Sequence, residues 1–251
     1  MLTPISAPGD PGEIRLDEDW HVHSTFSDGR SSIQENVQAA RVAGLNTLCL
    51  VDHVRADTVW VPRFVAETRR VALTGGLRVL CGVEAKMLDA SGLLDVPHDH
   101  ELADRLLIAD HQLPTGEGPM DPAHARTLIE SGGLCAGGVV EWLMLAYENA
   151  LERHPGAILA HPFSLLAKMG LDASDLPREA VAKLASVTAR TGSQIEISER
   201  WRCPEPWVIR AFMSAGVEVL ASTDSHEAAT IGRYSHCRQL AATVRENLGG
   251  R

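Results

Sequence analysis

Trp20-His21-Val22-His23-Ser24-Thr25-Phe26-Ser27-Asp28-Gly29 decides how the rest of the chain is read. On an extended strand alternate side chains share a face, so His21 and His23 point the same way and make a chelating pair at the strand's end. Ser27-Asp28-Gly29 then turns the chain and swings a carboxylate back toward the same point. Ser31 or Ser32, with Glu35 three residues after Ser32, starts a helix with a capping box. The stretch is one strand, turn and helix unit with its polar residues at the strand's C-terminal end. Alone, it is as compatible with a surface histidine pair as with a metal site, because imidazole is both the commonest metal ligand and an ordinary surface group.

The rest of the chain repeats the unit. Residues 33–43 have the pattern of an amphipathic helix ending at Gly44, and 45–51 form an apolar run that stops at Asp52-His53. An unbroken apolar run of this length after a helix is the pattern of a parallel strand covered on both faces. Residues 60–73 read as a helix broken by Gly75-Gly76, and 77–83 as a strand ending at Glu84. A longer polar segment leads to 106–109, which ends at Asp110-His111. Helices are expected over 122–130 and 139–153, then a strand over 156–160 that delivers His161-Pro162. A helix over 177–191, a strand over 194–197, a helix over 206–215 and a strand over 217–221 follow, the last delivering Asp224-Ser225-His226 before a final helix over 238–248. About seven strands alternating with helices point to a closed or nearly closed β/α barrel. In such barrels the chemistry sits at the C-terminal ends of the strands.

Composition agrees with that class. The 251 residues, 45% hydrophobic, suffice for one large α/β domain. No apolar run reaches the roughly 18 residues of a membrane span. The first residues are rich in Pro, Gly and acids without the apolar centre of a signal peptide, so 1–18 read as a loose lead-in to a single domain over 19–251 of a cytoplasmic protein. Cys49, Cys81, Cys135, Cys203 and Cys237 are odd in number and include no C-x-x-C pair, which argues against disulfides and a cysteine zinc site. A formal charge of −10 argues against binding long nucleic acid. Nothing in the composition sets an oligomeric state.

Collected from the predicted strand ends, the candidates are His21, His23, Asp28, His53, Glu84, His111, His161, Asp224 and His226. Crowding six imidazoles and three carboxylates at one mouth without counter-charge is costly, and divalent cations remove that cost. His98, His100, His124, His154 and His236 fall off the pattern and are assigned to loops and helix surfaces. A mixed imidazole and carboxylate set without thiolates suits zinc, manganese or iron. A hydroxide bridging two such ions is acidified enough to act as a nucleophile at neutral pH.

The motifs His21-Val22-His23 with Ser27-Asp28-Gly29, Asp52-His53, Gly82-Val83-Glu84, His111, Ala160-His161-Pro162 and Asp224-Ser225-His226 resemble, in this order, those of the PHP (polymerase and histidinol phosphatase) superfamily. The resemblance implies a distorted (β/α)7 TIM-like barrel that holds two or three divalent ions and hydrolyses phosphoesters. Matched residue by residue, it implies His21, His23, Glu84 and Asp224 on a first metal. Glu84 then bridges to a second metal completed by His111 and His161, while Asp28, His53 and His226 hold a third. It also implies that the bridging hydroxide is held by Glu84, Asp224 and His226.

Phosphate handles are sought among Arg200, Arg202, Arg233, Lys86 and Lys168, each shortly after a strand run. Trp201 and Trp207 are placed either to stack on a ring of the substrate or to pack a helix. The expected activity is a metal-dependent phosphomonoesterase on a small phosphorylated metabolite, of the histidinol-phosphate phosphatase type. Two alternatives stand beside it: a phosphodiesterase or exonuclease on nucleotides or short oligonucleotides, and a non-catalytic metal-binding structural module. The intact ligand set speaks against the last. Residues 86–100 are read as a lid or a surface loop.

Overall fold

The computed structural model describes residues 13–73 and 75–248. In chain order its strands are β1 (Glu18–Val22), β2 (Thr47–His53), β3 (Arg78–Lys86), β4 (Arg105–Ala109), β5 (Leu113–Thr115), β6 (Gly118–Met120), β7 (Ile158–Leu159), β8 (Gln194–Ser198) and β9 (Val219–Ser222). The helices are α1 (Ile33–Val42), α2 (Val61–Ala72), α3 (Pro122–Glu130), α4 (Ala136–Arg153), α5 (Ser164–Lys168), α6 (Arg178–Arg190), α7 (Pro206–Ser214) and α8 (His236–Leu248). Seven strands pair in parallel in the order β1, β2, β3, β4, β7, β8, β9. The first meets the last through isolated parallel bridges, Arg15 with Leu220 and Val22 with Ser225, and the His23 N–H donates to the Ser225 carbonyl at 2.8 Å. The result is the expected nearly closed (β/α)7 barrel.

Strand alternation divides the core. Leu48, Leu50, Cys81, Val83, Ile108 and Leu159 face outward, into the layer shared with the helices. Cys49, Val51, Leu107, Ala109, Ile158, Ala160 and Leu220 point inward and, with Trp20, fill the barrel. Gly82 completes this plug, since a Cβ there would lie 3.1 Å from Val51 and 3.2 Å from Leu107. The same alternation, carried one step further up each strand, lifts polar residues onto the plug.

Local signals behave as the sequence foretells at α1. Ser32 is the N-cap, Glu35 donates to Ser32 Oγ through its N–H at 3.3 Å, and the Glu35 carboxylate accepts from the Ser32 N–H at 2.7 Å. The antiparallel β5–β6 hairpin was not foreseen, because Pro114 and Pro119 give its strands the look of loop. The five-residue α5 is also new. No helix among the described residues is long and apolar enough to cross a membrane.

The segment after β3 is tied down rather than free. Met87 bridges Leu94, Asn149 Nδ2 donates to the Ala90 carbonyl at 2.9 Å, and Arg153 Nε donates to the Ser91 carbonyl at 2.9 Å. Gly92, at φ +77°, lies so close to α4 that a Cβ would meet the Ala150 nitrogen at 2.2 Å. It is a strap across α4, which removes the ground for reading 86–100 as a lid. Of the expected lead-in, residues 1–12 lie outside the described residues. Ile14 and Glu18 are already buried, so packing begins before position 19.

Candidate metal centre

The inward parity of the plug carries straight to the rim. His53 follows Cys49 and Val51 on β2, Glu84 follows Gly82 on β3, His111 follows Leu107 and Ala109 after β4, and Asp224 follows Leu220 and Ser222 after β9. On β1 the register with β2 slips between Asp19 and Val22, a bulge of the kind that re-aims side chains beside active sites. His21 and His23 emerge from it with ring centroids 4.8 Å apart. His161 arrives by another route, at φ +30° just past the short β7. The loop bearing Asp28 folds back so tightly that a Cβ on Gly29 would meet the His23 carbonyl carbon at 2.6 Å.

All nine candidates converge. Glu84, completely buried, faces a different set of imidazoles with each oxygen. Oε1 stands 3.0 Å from His161 Nε2 and 3.2 Å from His111 Nε2. Oε2 stands 2.7 Å from His53 Nδ1, 3.4 Å from His21 Nε2 and 3.7 Å from His23 Nε2. Asp224 Oδ1 lies 3.2 Å from His23 Nε2. Nearer solvent, Asp28 Oδ2 is 3.2 Å from His226 Nε2 and 3.6 Å from His53 Nε2, and Asp28 Oδ1 is 3.7 Å from His23 Nδ1. Three overlapping groups have donor atoms close enough to share an ion: His21, His23 and Glu84; His53, Glu84 and His111; and His23, Asp28, His53 and His226. These groups place His53 beside Glu84 as well as beside Asp28, and His23 beside Asp28 as well as beside His21.

The donor atoms fit divalent cations. His21 Nε2, His23 Nδ1, Glu84 Oε2 and Asp224 Oδ1 are buried and have no hydrogen-bond partner. Buried polar atoms are rarely left so, and four together in one cluster mark a place where something else takes their lone pairs. His21 Nε2 and Glu84 Oε2 are 3.4 Å apart, and the other ring nitrogen of His23, Nε2, stands 3.7 Å from Glu84 Oε2 and 3.2 Å from Asp224 Oδ1, separations that match the edge of a coordination tetrahedron, about 3.4 Å for bonds near 2.1 Å. Without cations, protonated imidazoles carry the counter-charge. Burial pushes Glu84 upward, yet His111, His21 and His53 outweigh it and hold the carboxyl well below its usual range. Burial pushes His161 down, and Asp110 and Glu84 reverse this, raising it to about 10. His23, penalised by burial and faced by His21 and His53, falls to about 4 despite its contact with Asp224.

A ring of supporting groups lies behind the ligands, and sequence reading assigned none of them a role. Glu196 on β8 accepts from His21 Nδ1 at 2.9 Å and is bonded by Ser222 Oγ. Asp110 takes the Ser164 hydroxyl at 2.8 Å, and that hydroxyl is 3.1 Å from His161 Nδ1. Asp52 accepts from Ser24 and Ser27, fixing the loop that carries Asp28. Asp19 accepts from the Thr223 N–H and hydroxyl at 2.9 and 2.6 Å, fixing the start of the Asp224 loop. Partners of this kind set which imidazole nitrogen carries the proton and which keeps a free lone pair.

The cationic candidates divide. Arg200 lies against His226 Nδ1 and donates to the Asp224 carbonyl at 3.3 Å. It shares with Arg233, and with the unforeseen Arg30, a cavity of about 410 Å³ that reaches Asp224 and His226. Lys86 is paired with Asp95 at 3.4 Å. Lys168 sits 4.3 Å over the Trp201 ring, and Arg202 lines a separate cavity behind that ring. Trp207 packs beneath Arg178 at 4.8 Å and, partly buried, against the hydrophobic core.

Comparison with known proteins places this arrangement among relatives. The PHP domain family model matches residues 19–200. A protein of Vibrio cholerae serotype O1 (strain M66-2), named a probable phosphatase, is 31% identical over 133 residues, 47% of this chain; the alignment spans about half of that protein's length, 49%. A probable phosphatase of Enterobacter sp. (strain 638) is 23% identical over 229 residues, covering 90% of this chain and 85% of that one. The crystal structure of histidinol phosphate phosphatase from Lactococcus lactis, complexed with zinc, L-histidinol and phosphate, superimposes with a TM-score of 0.67 at 15% identity over 93% of this chain and 94% of that one.

Proposed function

The chain belongs to the PHP domain family, and from that premise we propose that this protein, a hydrolase acting on phosphoric ester bonds, releases phosphate from a small phosphorylated metabolite of the histidinol-phosphate kind. The observation that carries the reading is Glu84, a buried carboxylate with each oxygen turned to a different set of imidazoles. Divalent cations bound there supply Lewis acidity toward phosphoryl oxygens and lower the pKa of water at the site. Zinc, manganese and iron all suit the donors, in two or three positions.

The chain's own residues divide the remaining tasks. His21, His23, Glu84 and Asp224 would hold one ion, Glu84 with His111 and His161 a second, and Asp28, His53 and His226 a third. The floor of the site, His21, His23, Glu84 and His161, is dry, which strengthens every charge interaction made there. The rim, His53, His111 and His226, is partly exposed and admits a phosphoryl group. Arg200 and Arg233 bind phosphate oxygens from the side, as guanidinium forks suit them to do. The overall acidity of the chain disfavours long polyanions.

A phosphodiester substrate is the second reading, favoured by the three-arginine cavity, which offers room and charge for a second ester group beside Asp224 and His226. A panel of phosphomonoesters together with bis(p-nitrophenyl) phosphate separates the two. Phosphate release from monoesters, abolished by chelator and by His21→Ala, is the expected result. Cleavage of the diester alone moves the assignment to the second reading, and metal-loaded protein that cleaves neither removes the reaction.

A further inference from the structure

The turn after β8 projects one side chain into the metal cluster that no ligand reading uses. The Ser198 N–H donates to the Cys203 carbonyl at 2.9 Å, the Arg202 N–H returns to the Ser198 carbonyl at 2.9 Å, and the Trp201 N–H reaches Ser198 Oγ at 3.3 Å. From this knot the Trp201 indole extends to Asp224, and its Nε1–H donates to Oδ2 at 2.6 Å. The ring lies 5.6 Å from that of His161 and carries Lys168 at 4.3 Å. Asp224 is thus asymmetric, with Oδ2 taken by the indole and Oδ1 buried, without a hydrogen bond, 3.2 Å from His23 Nε2.

Backbone strain gathers at the same spot. Among the described residues the non-glycine positions with positive φ are His161 (30°), Phe163 (70°), Arg202 (55°) and Asp224 (50°). Such conformations persist only where the surroundings enforce them. Two of the four are proposed ligands, Arg202 adjoins Trp201, and Phe163 lines the same cavity as Trp201.

We propose that Trp201 is the positioning residue for Asp224: its N–H occupies Oδ2 so that the carboxylate presents Oδ1 alone to the cation site. The inference rests on the metal reading above. A carboxylate turns easily about its last torsion, and carboxylates bind cations through either one or both oxygens. Without the indole, Asp224 is free to rotate away from Oδ1-only ligation or to use both oxygens and fill a position that water or substrate needs. A charge-assisted bond of this length is well suited to prevent both.

The test measures Mn²⁺ binding by titration calorimetry on metal-free protein, wild type against Trp201→Phe and against a shape-preserving replacement of Trp201 by 3-benzothienylalanine, which exchanges the N–H for sulfur. Loss of a group behind a metal ligand typically costs about 10- to 100-fold in metal affinity or activity. The expected result is a Mn²⁺ dissociation constant raised about tenfold or more in both variants, with kcat reduced by a similar factor and KM little changed, while metal-free Tm stays within about 2 °C of wild type. Wild-type affinity in the benzothienyl protein overturns the proposal, as does a loss confined to Trp201→Phe, which would assign the effect to ring packing. Wild-type protein that takes up no Mn²⁺ overturns the metal reading and the clamp with it, whereas equal binding by all three proteins overturns the clamp alone.

Discussion

Glu196 shows how much a single buried carboxylate decides. His21 has one nitrogen toward Glu84 and the other on Glu196 at 2.9 Å, with both side chains closed to water. Because Glu196 only accepts, it fixes the proton on Nδ1 and leaves the Nε2 lone pair for a cation. Glu196→Gln preserves the shape but offers an amide N–H₂, which favours the other tautomer and puts a proton where the metal belongs. The expected outcome is a loss of about 10- to 100-fold in metal affinity and in kcat/KM, read by calorimetric titration and steady-state kinetics; unchanged values would remove Glu196 from this role. Eight of the nine candidate ligands were legible because they sit at the end of a strand run, and Asp28 because Ser27-Asp28-Gly29 reads as a turn. Glu196 sits inside one, between Ile195 and Ile197, and a charge flanked by isoleucines in a doubly covered strand was itself the signal. Asp52 and Asp110 stood in plain view next to His53 and His111, but nothing in the order of residues says that a neighbouring carboxylate points to a serine rather than to an ion. Arg30 was hidden for another reason, since its place beside Arg200 and Arg233 depends on how the Gly29 turn folds.

Among the elements, the count and order of parallel strands were readable while their ends were not. Apolarity places the second strand at 45–51, yet hydrogen bonding carries it through Asp52 and His53, paired with Val83 and Glu84. Residues that aim at cations look like loop residues, so apolar patterning cuts strands short at the place where the site is built. The loops between them carry long-range ties that no periodicity records. Glu199, just past β8, receives the N–H groups of His236 and Cys237 at 2.9 and 3.0 Å and so caps α8 from across the fold. Burial pushes its carboxyl up, but these backbone donors and that of Ser235 prevail and hold it below its ordinary value of 4.5. A lowered folded value means stability that is complete above pH 4.5 and disappears as pH falls through the folded value. Glu199→Gln is therefore expected to cost about 1 kcal/mol at pH 7 and progressively less as pH falls below 4.5, the two unfolding curves drawing together through the folded value. Denaturant melts of both proteins across a series of pH values from 7 downward measure this, and a gap that does not narrow with acid would show that the cap works through shape alone.

At the scale of the whole molecule, the cluster proposed to serve chemistry also lies across the place where the barrel closes. Its groups come from the ends of β1, β2 and β3 and from the segments following β4, β7 and β9, while β8 contributes Glu196 behind them. Among the described residues the backbone of β1 meets that of β9 through isolated bridges rather than a ladder, and His23 and Asp224 face each other directly across the seam at 3.2 Å. A cation held by both sides would join first strand to last, and it would bind only the folded chain, because the unfolded chain does not gather these groups. Ligand present at 100 times its dissociation constant stabilises the folded state by about 2.7 kcal/mol, which for a protein of this length corresponds to roughly 5–10 °C in Tm. Dialysis against chelator is therefore expected to lower Tm by that amount, and added Mn²⁺ or Zn²⁺ to restore it. The chain's formal charge of −10 works in the same direction, since the cations reduce a repulsion that the stripped protein retains in full. His23→Ala removes the β1-side group that faces Asp224 across the seam, leaving His21, and should abolish most of the difference between chelated and loaded protein, whatever the buried truncation itself does to the chelated Tm. Calorimetric scans of wild type and variant, with and without chelator, decide the matter: if the two wild-type curves superimpose, the cluster binds no ion tightly enough to hold the barrel shut, and closure rests on the strand bridges and the Asp19–Thr223 hydrogen bonds.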